Sequence, residues 1–169
     1  MSSDAPAITR DEALDLLYLE ARLLDDGRLA EWLELFTEDC VYWVPNVVED
    51  AAREPSIIYD TRTRMDERVH RLTQTAAHAQ SPPSRTQHTV CNVEVLAADT
   101  PGEATVLCHL VIFEQRPGDD WQVGLGAPRW FAGRCEYRLR VRDRTWKIAL
   151  KKVNLLDRDL PQYNLTFVI

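Results

Sequence analysis

No stretch of this 169-residue chain approaches the run of about 18 apolar residues that a membrane-spanning helix needs. The opening MSSDAPAITR has no basic start leading into an apolar run, so the expectation is a cytoplasmic chain without a secretory signal. Its four cysteines, Cys40, Cys91, Cys108 and Cys135, are far apart and sit inside apolar runs; this argues against a disulfide scaffold and predicts reduced core thiols. A phosphate-cradling loop and a nucleophile elbow are also missing: Gly124-Leu125-Gly126 is a lone glycine pair followed by Ala127-Pro128, with no helix-opening pattern behind it. There is no Cys-x-His or Cys-x-x-His pair, so the chain has no ligand set of its own for a Rieske cluster. No internal repeat or low-complexity segment interrupts what reads as one domain over residues 1–169.

What is present is unevenly charged. Residues 1–60 hold fifteen acids and four bases, whereas residues 129–152 hold nine bases and two acids. Arg138, Arg140 and Arg142 recur every second residue, which places them together on the wet face of one strand. Without interleaved aromatics, and in an acidic protein, that stripe fits a protein partner with acidic patches better than nucleic acid.

The first half reads as helical, mainly over residues 9–80. Leu14, Leu17, Ala21 and Leu24 share one helical face, Thr9 with Glu12 makes a capping box, and Gly27 suits the helix end. A short second helix is expected in RLAEWLELF. A third has Met65, Val69, Leu72 and Ala76 on one face and Thr63 with Asp66 at its start. Short strands are expected near 40–45 and 56–60. From residue 85 to 158 the period changes to two. There Thr89, Cys91, Val93 and Val95 are expected on one face of the first strand, ATVLCHLVIFE lies centrally in the sheet, and Lys151-Lys152 breaks the alternation and marks a bulge. Helices first and a long meander afterwards predict an α+β fold: a strongly curved, antiparallel or mixed sheet with about three helices on one side, shaped as a cone with a pocket at its mouth.

Candidate chemistry is sparse. Glu67 and His70 share a face of the third helix, but His78 lies eight residues further on, roughly 12 Å of helical rise, too far to share a metal ion. Cys108 and His109 are neighbours in a strand and point to opposite faces. Inside the cone, Asp60, His88, Tyr42 and Tyr59 are the polar groups that could do acid–base work, with Asp60 and His88 the leading pair. The competing reading makes Asp60 a cap of the third helix, or a partner of Arg62 or Arg64, and leaves His88 half exposed at a strand start.

The stretches EALDLLYLEARLLDDGRLAEWLELFTEDCVYWVP, IIYDTRTRMDERVHRL, PPSRTQHTVCNVEVL and GRCEYRLRVRDRTWKIALKKVNLL…NLTFVI together resemble the small (β) subunit of aromatic-ring-hydroxylating, Rieske non-haem iron dioxygenases, especially the benzoate and anthranilate types. The resemblance implies the cone fold of scytalone dehydratase and ketosteroid isomerase and a structural, non-catalytic role for this chain. It implies a larger α subunit carrying the [2Fe-2S] Rieske cluster and a mononuclear non-haem iron, an α3β3 hexamer with further β copies, and NAD(P)H electrons arriving through a separate reductase or ferredoxin. No cofactor would be bound by this chain, and neither nucleic acid nor membrane would be a partner. Ketosteroid isomerases place their general-base Asp before a Pro in the strand after the second helix; the matching position in Tyr42-Trp43-Val44-Pro45 is Val44, which cannot take a proton.

Alternatives are a stand-alone cone-fold dehydratase or isomerase using Asp60 and His88, and a homo-oligomeric small-ligand binding module. The last residues, Phe167, Val168 and Ile169, are apolar and are expected to pack across a subunit boundary, with Trp130 and Tyr163 as further interface candidates. The rival expectation is a strand end tucked under its own sheet.

Overall fold

The computed structural model describes residues 7–75, 81–118, 125–162 and 165–169. Helix α1 (Arg10–Asp25) begins at the expected capping box, where Thr9 Oγ1 accepts from the Glu12 backbone and the Glu12 carboxylate accepts from the Thr9 backbone. It ends before Gly27, whose φ of +68° suits a residue without a side chain. The second helix is shorter than the pattern predicts. Helix α2 (Leu29–Leu33) stops, and Phe36 already opens strand β1 (Phe36–Val44), where its partner across the sheet is Ile148. Strand β2 (Ile58–Thr61) runs directly into helix α3 (Arg62–Gln74). The Thr63–Asp66 capping box does not form: the helix is capped two residues earlier, at Thr61, and Asp66 instead pairs with Arg62 at 3.3 Å.

Four long strands follow: β3 (Arg85–Ala97), β4 (Glu103–Gln115), β5 (Arg129–Arg142) and β6 (Thr145–Leu155). They form an antiparallel meander. Strand β1 joins β6 in parallel, and the sheet order is β2-β1-β6-β5-β4-β3, a mixed sheet as expected. The β5–β6 hairpin turns on Asp143 and Arg144, at φ +49° and +63°, the paired left-handed conformations of a tight turn whose twist matches its strands. In β6 the register slips beside Ala149, close to where Lys151-Lys152 predicts a bulge.

Strand β3 departs from the expected alternation. Its pairing with β4 slips between Cys91 and Glu94, with Asn92 at φ +52°, so His88 and Val90 before the bulge share the inner side with Val93 and Val95 after it. Cys91 therefore lies on the exposed outer face of an edge strand and is not a core thiol; Cys40, Cys108 and Cys135 are buried. Burial pushes the Cys40 thiol up to about 11, which keeps it protonated and inert.

The inner face of the sheet carries the core. Val106, Leu110 and Ile112 of β4, Phe131, Tyr137 and Leu139 of β5, and Ile148, Val153 and Leu155 of β6 meet Ala13, Leu17, Leu23 and Leu24 of α1 and Met65 and Val69 of α3. The basic stripe lies on the outer face, as its period requires. Arg140 reaches Asp39 at 2.7 Å and Glu103 at 3.2 Å, so acids of the same chain take part of its charge.

One pair of charges, Glu20 and Lys151, sits face to face between α1 and the inner face of β6. Glu20 lies on the buried stripe of α1, 2% exposed, and Lys151 lies on the inner face of β6, 1% exposed. Lys151 Nζ donates to Glu20 Oε1 at 2.9 Å, Trp32 Nε1 donates to the same oxygen at 3.0 Å, and the Tyr137 hydroxyl donates to Oε2 at 2.8 Å. Removing one member of such a pair leaves an uncompensated buried charge, which destabilises by about 3–5 kcal/mol. Lys151→Met is therefore expected to lose about that much in urea unfolding. Adding Glu20→Gln should recover a large part, because a neutral amide still serves Trp32 and the Tyr137 hydroxyl can turn to accept from it.

Candidate functional site: the interior of the cone

Two of the polar groups inside the cone, Tyr42 and His88, meet a segment that belongs to no helix or strand. Residues 165–169 enter between the ends of α1 and α3 and the start of β3, and Thr166, Val168 and Ile169 are buried. Tyr42, on β1 and wholly buried, both donates to the Ile169 backbone oxygen at 3.2 Å and accepts from the Ile169 amide at 3.1 Å. Burial pushes the Tyr42 hydroxyl well above its ordinary value, so it stays neutral and can do both.

His88, on the edge strand β3, meets the same segment from the other side. Its Nε2 lies 3.1 Å from the Val168 carbonyl and its Nδ1 2.6 Å from Asp25 Oδ1. The Val168 carbonyl is an acceptor, so Nε2 is placed to donate to it, while Asp25 orients the ring through Nδ1. Asp25, at the last turn of α1, also accepts from the His88 backbone amide at 2.9 Å and from Thr86 Oγ1 at 2.9 Å. Partial burial works to raise the Asp25 carboxyl, but the bonds from the His88 ring and backbone and from Thr86 outweigh it and hold the carboxyl below the ordinary aspartate value. Thr166 completes the anchorage through Ser84 Oγ at 2.8 Å, and Ser84 donates to Glu114 at 2.6 Å.

The expected residues are thus distributed as follows. His88 is buried and not half exposed, because Asp25 satisfies it from α1. Asp60 is buried but pairs with Arg68 at 2.6 Å, one turn beyond the Arg62 and Arg64 anticipated from sequence. Tyr42 and His88 converge on Val168–Ile169; Asp60 has its own partner, and Tyr59 is exposed, with its ring edge-on to Trp43. Val168 and Ile169 fill the chain's own core and have no surface to offer a neighbouring subunit, which overturns the expectation that they cross a boundary. The physical reason is that Tyr42 and His88 satisfy their backbone groups while their side chains leave water. Phe167 is half-buried and sets its ring edge-on against Phe131, with centroids 5.4 Å apart. Trp130 is 67% exposed on the outer face, directly across the β4–β5 ladder from Phe113, itself 51% exposed. Tyr163 lies outside the described residues, as does His78; Glu67 and His70 are exposed on α3. Among the described residues no group of three or more His, Cys, Asp or Glu side chains could hold a metal ion, and no helix is long and apolar enough to cross a membrane.

The sequence reading missed Asp25. Its signal was available: an acid in the last turn of a helix opposes the helix dipole and needs a compensating reason. Here the reason is His88.

Three comparisons bear on this arrangement. The family described as "Ring hydroxylating beta subunit" matches residues 19–162. The small oxygenase component of the p-cumate 2,3-dioxygenase system of Pseudomonas putida is 40% identical over 152 residues, which span 88% of this chain and 79% of that protein. Among solved structures, the β subunit of benzoate 1,2-dioxygenase from Burkholderia mallei superposes with a TM-score of 0.75 at 27% identity, covering 96% of this chain and 99% of the other. A protein described as a putative scytalone dehydratase from Novosphingobium aromaticivorans shares the fold, with a TM-score of 0.61 at 15% identity over 87% of this chain and 88% of the other. The cone architecture expected from sequence is therefore the one observed.

The Asp25 carboxyl also sets a pH dependence. A carboxyl whose folded value is depressed contributes stability that is fully present above its unfolded value and is lost as pH falls through the folded one. Asp25→Asn should lower stability at neutral pH by about 1.5–3 kcal/mol, the range for hydrogen bonds to a charged group. Acid-unfolding curves of the two proteins should converge as pH drops below the ordinary carboxylate range; a gap that stayed constant to the bottom of the curve would show that the charge is not responsible.

Proposed function

Because the chain belongs to the ring-hydroxylating β-subunit family, we propose that it is the non-catalytic structural subunit of an aromatic-ring-hydroxylating dioxygenase, assembled with a larger catalytic α subunit. The observation that carries this reading is the state of the cone. Its acid–base groups are spent on internal partners, His88 on Asp25 and Val168, and Asp60 on Arg68, while Val168 and Ile169 fill the space a substrate would need. That favours a supporting role over a stand-alone dehydratase or isomerase.

In this reading the Rieske cluster, the mononuclear iron and the electrons from NAD(P)H belong to the partner proteins, and the substrate is an aromatic compound, with an aromatic acid the first class to test. The p-cumate and benzoate enzymes named for the relatives motivate that choice. The contribution of this chain is geometric: a stiff sheet that holds α subunits in fixed relation, in an α3β3 arrangement. Its outer face offers the aromatic pair Phe113–Trp130 as an anchor, since exposed aromatics are enriched at the centres of interfaces.

The test is to purify the chain alone and co-expressed with its large subunit. Turnover of an aromatic acid is expected from the complex only; turnover by the isolated chain would overturn the reading. Trp130→Ala should weaken assembly by about 2 kcal/mol or more while leaving the melting temperature of the isolated chain unchanged, because the ring contributes nothing to the chain's own core. Native mass spectrometry across a dilution series reads the assembly, and a thermal melt of the isolated chain reads its stability.

A further inference from the structure

The way residues 166–169 are held differs from the way a sheet holds a strand. They make no ladder with any of the six strands. Their backbone groups are met one at a time by side chains: the Val168 carbonyl by His88 Nε2, and the Ile169 backbone oxygen and amide by the Tyr42 hydroxyl. Their side chains enter apolar surroundings, Phe167 against Phe131 and Ile169 fully buried. Side-chain donors aimed at carbonyls from apolar walls are how a pocket holds a ligand.

Two further features fit a pocket. The buried His88 ring is oriented by the part-buried Asp25 carboxylate at 2.6 Å, a fixed arrangement for a group whose only other task is one backbone carbonyl. A cleft of about 180 Å³ also runs along the segment, with Leu24, Leu29, Leu72 and Pro83 on its walls and Phe167 and Val168 themselves forming one side.

We propose that the interior of the cone is a binding site for a short apolar molecule bearing one or two carbonyl groups, and that residues Phe167–Ile169 are its occupant in cis. Release or removal of that segment leaves His88 Nε2–H and the Tyr42 hydroxyl as two convergent donors in an apolar cavity open through the cleft. The ligand's carbonyl takes the place of the Val168 carbonyl and its hydrocarbon body that of the Val168 and Ile169 side chains. The site binds and performs no bond-making step.

The experiment uses the chain shortened by residues 167–169, which keeps the Thr166 anchor to Ser84. Calorimetric titrations with N-acetylated Phe-Val-Ile and with acetophenone are compared between this chain, its His88→Phe variant and the full-length protein. The proposal expects saturable one-to-one binding of both probes to the shortened chain, at least tenfold weaker binding after His88→Phe, and none to the full-length protein. Absence of binding by the folded shortened chain would overturn it, as would affinities indifferent to His88. If the shortened chain does not fold by itself, the same titration is followed by circular dichroism: refolding driven by the tripeptide supports the proposal, and failure to refold at millimolar tripeptide overturns it.

Discussion

The neutralisation of Glu20 inside the protein is the constraint around which the interior is arranged. A carboxylate on the buried stripe of the first helix must find a cation and further donors or the helix cannot dock. Lys151 comes from the last strand, Tyr137 from the strand beside it and Trp32 from the second helix, so one charge fixes three elements against α1. Lys151 also lies within 6 Å of the Tyr42 and Tyr137 ring centroids, at 5.8 and 5.9 Å, which spreads its charge over two aromatic faces. Tyr42 then carries the arrangement on to Ile169. Apolar packing supplies most of the stability of such a core, but it would tolerate several docking angles. A hydrogen-bonded charge with three donors tolerates far fewer.

Much of the fold was legible because its signals are local. The capping box at Thr9–Glu12, the period-two runs from residue 85 onward and the Asp143–Arg144 turn depend on residues within a few positions of one another. The misreadings share a different cause. Asp25 and His88 are 63 residues apart in sequence, and Glu20 and Lys151 are 131 apart, so no local pattern links them. Each half nonetheless left a trace as a violation: an acid at a helix C-terminus, an acid on an apolar stripe, a lysine at an inward strand position. Pairing the violations with each other would have found both contacts. Phe167–Ile169 misled for a related reason. An apolar end is a surface feature only when its backbone has nowhere to go, and the sequence alone does not reveal that Tyr42 and His88 wait for it.

The two faces of the sheet divide the labour. Inward positions are committed to the chain's own fold and leave no titratable group idle at Glu20, Asp25, Asp60 or His88. Outward positions carry the arginines of β5, partly matched by Asp39, Glu103 and Glu136, and the uncovered Phe113–Trp130 pair. The inside is thus filled by the chain's own groups, residues 165–169 among them, while the outside leaves an aromatic pair uncovered.

The parallel pairing of β1 with β6 has a consequence for how the chain emerges during synthesis. The meander β3–β6 can zip up from neighbouring segments as it leaves the ribosome, but β1 is made early and its partner almost last, and the Tyr42–Ile169 contact spans 127 residues. Until then a strand containing Val41, Tyr42, Trp43 and Val44 has one edge unpaired and an aromatic-rich face without its core, the kind of surface on which chaperones act.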